Sequence, residues 1–241
     1  MRAPDLRALD HDGFVTLVFD HPAYEGQDVE QHADGSVTFL EERPTAWYWE
    51  VEWSWDDVPA DPLHTLALMA ELFERAHELP ERFTARQIAQ GFDLLLIGGD
   101  KAFMELVWDA RLPWEPRERL LRAVVPLYRW LFDVQTEIEH VPFMFWDGLL
   151  GYRFVDHEKY SHGADDARVQ ETVADIIREM LLVLDGPWSA PAALHGAFHV
   201  GHPAALDAVR EWLARLPEPE PGAEEEHWVK YARDVLVGQV M

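Results

Sequence analysis

From Leu63 onward the apolar residues recur at three- and four-residue intervals, and prolines or glycines cut these runs into short lengths. This pattern constrains the fold most, because it divides the chain into amphipathic helices, each with one apolar side that a neighbour must cover. Asp61-Pro62 opens the first run, in which Leu63, Leu66, Ala67, Ala70 and Phe73 share a stripe until Pro80. Thr84 is placed to cap a second helix through Gln87, Ile88, Phe92 and Leu95, ending at Gly98-Gly99. A third is expected from Pro116 through Leu120, Leu121, Val124, Leu127 and Leu131 towards Glu139, kinked at Pro126. Arg168 to Leu184 reads as a fourth, stopped by Asp185-Gly186-Pro187, and Ser189 is expected to cap its partner. Pro203 to Leu216 and His227 to Val240 complete the set, separated by the acidic, proline-rich stretch from Pro217 to Glu226. Helical pairs that each leave an apolar side for the next pair predict a mainly α fold, a HEAT-like array of antiparallel helical hairpins spanning residues 61–241.

Residues 1–60 follow a different rule. Phe14-Val-Thr-Leu-Val-Phe19 and Ser36-Val-Thr-Phe-Leu40 are β-branched and aromatic runs, each preceded by Asp-Gly, and predict short strands. In Trp47-Tyr-Trp-Glu-Val-Glu-Trp-Ser-Trp55 the odd positions are all apolar, the period of a strand with one buried face. The expectation is a small β-containing N-terminal segment packed on the helical body.

With 241 residues and a hydrophobic fraction of 48%, the chain has enough apolar material for a full core. It has no cysteine, which removes disulfides, thiolate ligands and cysteine nucleophiles and fits a reducing compartment. No run approaches the roughly 20 apolar residues of a membrane span, and the N-terminus does not read as a secretory leader, so a cytoplasmic protein is expected. Lys and Arg number 20 against 45 Asp and Glu, a net charge of -25. Such a field repels nucleic acid and anionic lipid; by composition alone it reads first as a heavily solvated surface kept soluble by like charge, and its functional reading is an acidic face that captures a basic protein or peptide.

Ala193-Leu-His-Gly-Ala-Phe-His-Val-Gly-His-Pro203 concentrates three of the 12 histidines. His195, His199 and His202 stand at i, i+4 and i+7, so a continuous helix brings the first two onto one face with the third in reach. That spacing suits metal ligands, with a further ligand from Asp147 or His157. Against it, Gly196 and Gly201 weaken the helix, and no Glu follows His195 to complete a His-Glu-x-x-His motif. The competing reading is a packed helix in which His195 hydrogen-bonds the Asp147 carboxylate. Nucleotide binding is not expected, because Gly98-Gly99-Asp100-Lys101 lacks the spacing of a phosphate loop, and no Gly-x-Ser-x-Gly elbow is present. His157-Glu-Lys-Tyr-Ser-His162 reads as a solvated connector.

Four blocks carry a resemblance: Gln87-Ile-Ala-Gln-Gly-Phe92, Phe143-Met-Phe-Trp-Asp147, Ala193-Leu-His-Gly-Ala-Phe-His199 and Tyr231-Ala-Arg-Asp-Val-Leu-Val-Gly238. Over roughly residues 62 to 240 the chain resembles an uncharacterised bacterial family of HEAT-like helical proteins with a Leu-His-Gly-x-x-His block. It departs from the family pattern at Ala197-Phe198, where Leu-Gly is usual, and at Phe145, where the family has Trp. The resemblance implies a helical architecture and no particular reaction.

Together these readings predict a non-enzymatic, acidic, helical binding scaffold without a cofactor, of the immunity or adaptor type, engaging a basic protein through residues that include Trp146, Asp147, His195 and His199. The alternative is a metal-dependent enzyme using His195 and His199, with His202 as a further ligand.

Overall fold

The structure is a computed structural model and describes residues 4–22, 29–31, 37–39, 58–98, 102–135, 137–138, 140–150, 164–217 and 227–239. These residues are mainly helical. In chain order the helices are α1 (His11–Phe19), α2 (Pro62–Glu74), α3 (Ala85–Asp93), α4 (Ala102–Glu105), α5 (Trp114–Arg122), α6 (Val124–Leu127), α7 (His140–Leu149), α8 (Ala164–Leu182), α9 (Ser189–Val200), α10 (Pro203–Arg215) and α11 (His227–Val237). A short antiparallel pair, β1 (Val29–Gln31) and β2 (Val37–Phe39), sets Val29 opposite Phe39. The tryptophan-rich run 47–55, the connector 157–162 and the acidic stretch 218–226 lie outside the described residues. No helix among the described residues is long and apolar enough to cross a membrane.

The expected strand over Phe14–Phe19 is a correction: it belongs to α1. The Asp10 carboxylate accepts the Gly13 N–H at 2.8 Å and caps the helix. Phe14, Val15, Val18 and Phe19 then fall on one buried side while Thr16 is exposed. The same six residues satisfy a strand pattern and a helix pattern, and the cap, together with burial of one helical side, decides between them.

Caps also set the other boundaries. Asp61 accepts the N–H groups of Leu63 and His64 at 2.9 and 3.1 Å, with Pro62 in the first turn of α2. Thr84 and Gln87 form a reciprocal capping box at α3. The single kinked helix expected from Pro116 to Glu139 is instead α5, a break at Ala123, α6, and a wide turn over Tyr128–Phe132 in which the Asp133 N–H donates to the Tyr128 carbonyl at 2.9 Å. Pro126 has no N–H to return to the Arg122 carbonyl, so one rung is missing where α5 gives way to α6, and the four-residue ladder resumes with the Leu127 N–H donating to the Ala123 carbonyl at 3.2 Å.

That wide turn delivers Asp133 to the start of α9. Its Oδ1 accepts the N–H groups of Trp188 and Ser189, both at 2.9 Å, and its Oδ2 accepts the Ser189 hydroxyl. The cap expected from Ser189 is therefore supplied by a residue 56 positions earlier. Asp133→Ala is expected to lower stability by about 1–2 kcal/mol. At roughly 2–4 °C per kcal/mol for a chain of this size, a thermal melt would fall by roughly 2–8 °C. An unchanged melting temperature would remove Asp133 from this role.

A line of buried rings runs through the core. Phe19 meets Phe92 at 5.4 Å, Phe92 meets Phe132 at 5.1 Å, and Tyr128 meets both Phe132 at 5.1 Å and Phe145 at 5.9 Å. Phe145 continues to Trp146 at 5.4 Å, and the Trp146 indole lies against Gly196 of α9. A Cβ at Gly196 would stand 2.8 Å from the indole, so the bare backbone is what lets α7 and α9 close together. Gly148 does the same on the other side of α7, where a Cβ would come within 2.1 Å of the Leu96 carbonyl oxygen.

Candidate metal centre

Helices α7 and α9 each present two side chains one turn apart to the same place. Along α7 these are Phe143 and Asp147, and along α9 they are His195 and His199. The two glycines hold α7 between the Leu94–Gly98 turn and α9, and so fix where Asp147 stands.

The three polar groups converge closely. His195 Nε2 lies 3.0 Å from Asp147 Oδ2, His199 Nε2 lies 3.0 Å from Asp147 Oδ1, and the two Nε2 atoms are 3.1 Å apart. One ligand atom from each residue can be chosen so that all lie within 4.8 Å of one another. A tetrahedral zinc ion bound at about 2.0–2.1 Å holds its ligands roughly 3.3 Å apart, so the set needs little movement to bind one. His199 is 7% exposed and His195 12%, while Asp147, at 32%, opens the cluster to solvent.

A third helix completes the surroundings. Tyr231 of α11 places its hydroxyl 2.9 Å from His195 Nδ1. The Phe143 ring stacks on the His195 imidazole with centroids 4.3 Å apart and planes at 32°. Trp228, one turn before Tyr231, meets Phe143 at 6.0 Å and Tyr231 at 5.7 Å. His195 is thus held at both nitrogens and on one face of its ring.

Electrostatics favour an ionised carboxylate. Burial acts to raise the Asp147 carboxyl, but the hydrogen bonds from His195 and His199 outweigh it and hold the group well below the usual carboxylate range. Burial, with the Asp147 charge nearby, pushes the Tyr231 hydroxyl up to about 12, so it stays protonated at neutral pH.

With both rings donating Nε2–H to Asp147, two positively polarised edges confront each other across 3.1 Å. A divalent ion in place of the two protons would turn both nitrogens into ligands and let the carboxylate serve as the third.

His195, His199 and Asp147 are therefore brought together. His202 is a correction: it is not part of the cluster but stands at the N-cap of α10, where its Nδ1 accepts the Ala204 N–H at 3.3 Å. Gly201, in the left-handed region with φ of 57°, ends α9 and turns His202 away from the face that carries His195 and His199. Trp146 is a second correction: it is fully buried, so its role is to pack against α9 and not to touch a partner. His157 lies outside the described residues. Sequence reasoning gave no role to Phe143 or Tyr231. The four-residue step from Phe143 to Asp147 would have disclosed the first once that block was read as a helix, and nothing in the sequence ties Tyr231 to His195.

Comparison of the chain with protein-family models, curated proteins and solved structures found no match.

Proposed function

We propose that this chain is a metal-dependent protein in which Asp147, His195 and His199 hold one divalent transition-metal ion of the zinc class. The observation that carries the proposal is the convergence of two Nε2 atoms and a carboxylate at 3.0–3.1 Å, drawn from two helices locked together by glycines. Three protein ligands among the described residues leave a coordination position for water, the pattern of catalytic rather than structural zinc. A metal-bound water of this kind ionises near neutral pH, which makes hydrolysis the reaction class the site suits. Asp147, a third exposed, marks the side from which a substrate reaches the ion.

The test is calorimetric titration of tag-free, chelator-treated protein with zinc. One ion per chain is expected, with a melting temperature that rises on loading, since an ion held only by the folded state stabilises it. No saturable binding, with melting unchanged by zinc or by chelator, would overturn the proposal.

A second reading is favoured by the net charge of -25: an acidic cytoplasmic scaffold of the immunity or adaptor type that engages a basic protein. It accords with a HEAT-like arrangement of the body, supported by the packing of α8 against both α9 and α10 and of α7 against α9. Charge-driven association is salt-sensitive, so a protein captured from native lysate at low salt and released at high salt is expected. Capture of none under either condition would count against this reading and leave the metal centre untouched.

A further inference from the structure

We infer that Tyr231 is a positioning residue for the metal centre, one whose hydroxyl reverses the direction of its hydrogen bond to His195 when the ion binds. The inference rests on the metal reading above and goes beyond it, because it assigns a role to a side chain on α11 that contributes no ligand.

A carboxylate only accepts hydrogen bonds, so His195 Nε2, 3.0 Å from Asp147 Oδ2, carries a hydrogen and donates it. In the neutral ring Nδ1 is then an acceptor, and the contact at 2.9 Å is a Tyr231 O–H donating to it. Metal binding demands the opposite tautomer. Nε2 releases its proton so that its lone pair faces the ion, Nδ1 takes one up, and the ring stays neutral. Nδ1–H must then donate to a partner, as the second nitrogen of a metal-bound histidine almost always does.

A lysine at this position would only donate and a carboxylate would only accept. A tyrosine hydroxyl does both, so a rotation about its C–O bond keeps the contact in either state. The surrounding packing supports a ring that stays in place while the hydroxyl turns. Tyr231 lies between Trp228 at 5.7 Å and Phe143 at 6.2 Å, and Phe143 stacks on His195 itself. His199 has no equivalent device: its Nδ1 is buried with no hydrogen-bond partner among the described residues. Orientation of the pair therefore falls on His195 and, through it, on α11.

The test compares wild type with Tyr231→Phe, which keeps the ring and removes only the hydroxyl. Zinc affinity is measured by competition with a chromogenic chelator, and the His195 tautomer is read from long-range ¹H–¹⁵N spectra with and without zinc. Removing such an outer partner is expected to weaken zinc binding about 10- to 100-fold. In the wild type the His195 proton is expected on Nε2 without metal and on Nδ1 with it. Equal affinity in Tyr231→Phe, with a wild-type circular dichroism spectrum, overturns the role of Tyr231 and leaves the metal centre standing. A His195 proton that remains on Nε2 in the zinc-loaded protein overturns both the reversal at Tyr231 and the assignment of His195 Nε2 as a ligand. Absence of zinc binding by the wild type overturns the metal reading itself.

Discussion

His199→Ala is expected to weaken zinc binding by two to three orders of magnitude while leaving a folded protein. Four-ligand zinc sites bind with roughly 10–16 kcal/mol, so each ligand carries about 2.5–4 kcal/mol, a factor of about 70–900. The side chain is nearly fully buried, but among the described residues its only hydrogen-bonding atom with partners is Nε2, which faces Asp147 and His195. Truncation therefore removes the ligand and frees Asp147 Oδ1 to solvent on the side where that residue is already exposed. Asp147→Ala is expected to act alike. His202→Ala is the informative control, since His202 caps α10 and faces away from the cluster, and its zinc affinity is expected to match wild type. Competition against a chelator measures all three, and equal affinities across the set would contradict the ligand assignment.

Gly148→Ala is expected to reverse the sign of an ordinary helix substitution. Glycine inside a helix is about 0.8–1.0 kcal/mol less favourable than alanine, so replacement by alanine normally stabilises. Here the added Cβ would stand 2.1 Å from the Leu96 carbonyl oxygen and 2.8 Å from its carbon. Both are backbone atoms, so no rotamer change relieves the clash and α7 must move away from the Leu94–Gly98 turn. Overpacking typically costs about 1–3 kcal/mol, and a backbone obstacle belongs at the upper end. A fall of roughly 6–12 °C in a thermal melt follows from about 3 kcal/mol. Asp147 is the preceding residue, so zinc affinity is expected to fall as well. A melting temperature at or above wild type would mean that α7 does not pack as described.

The helical body was legible because its signals are local. Asp61-Pro62 and the Thr84 to Gln87 capping box mark helix starts in the chain itself, and the structure keeps both. Phe14–Phe19 misled because Phe, Val and Leu at adjacent positions fit either period, and the deciding cap, Asp10, lies outside the run. The cap of α9 could not be read at all: Asp133 comes from another helix end, at the close of the wide turn over Tyr128–Phe132, and meets α9 across 56 positions. The site divides in the same way. His195 and His199 share a face because they are four residues apart on one helix, whereas the same spacing logic wrongly drew in His202, which Gly201 removes. Tyr231 belongs to a contact across 36 positions that no periodicity encodes.

The central claim is that two imidazoles and one carboxylate hold a metal ion, and diffraction from zinc-soaked crystals at the zinc absorption edge tests it most directly. The account predicts one strong anomalous peak per chain within about 2.0–2.2 Å of His195 Nε2, His199 Nε2 and an Asp147 carboxylate oxygen. A map with no peak among these three residues, or with zinc bound only elsewhere on the acidic surface, would contradict it.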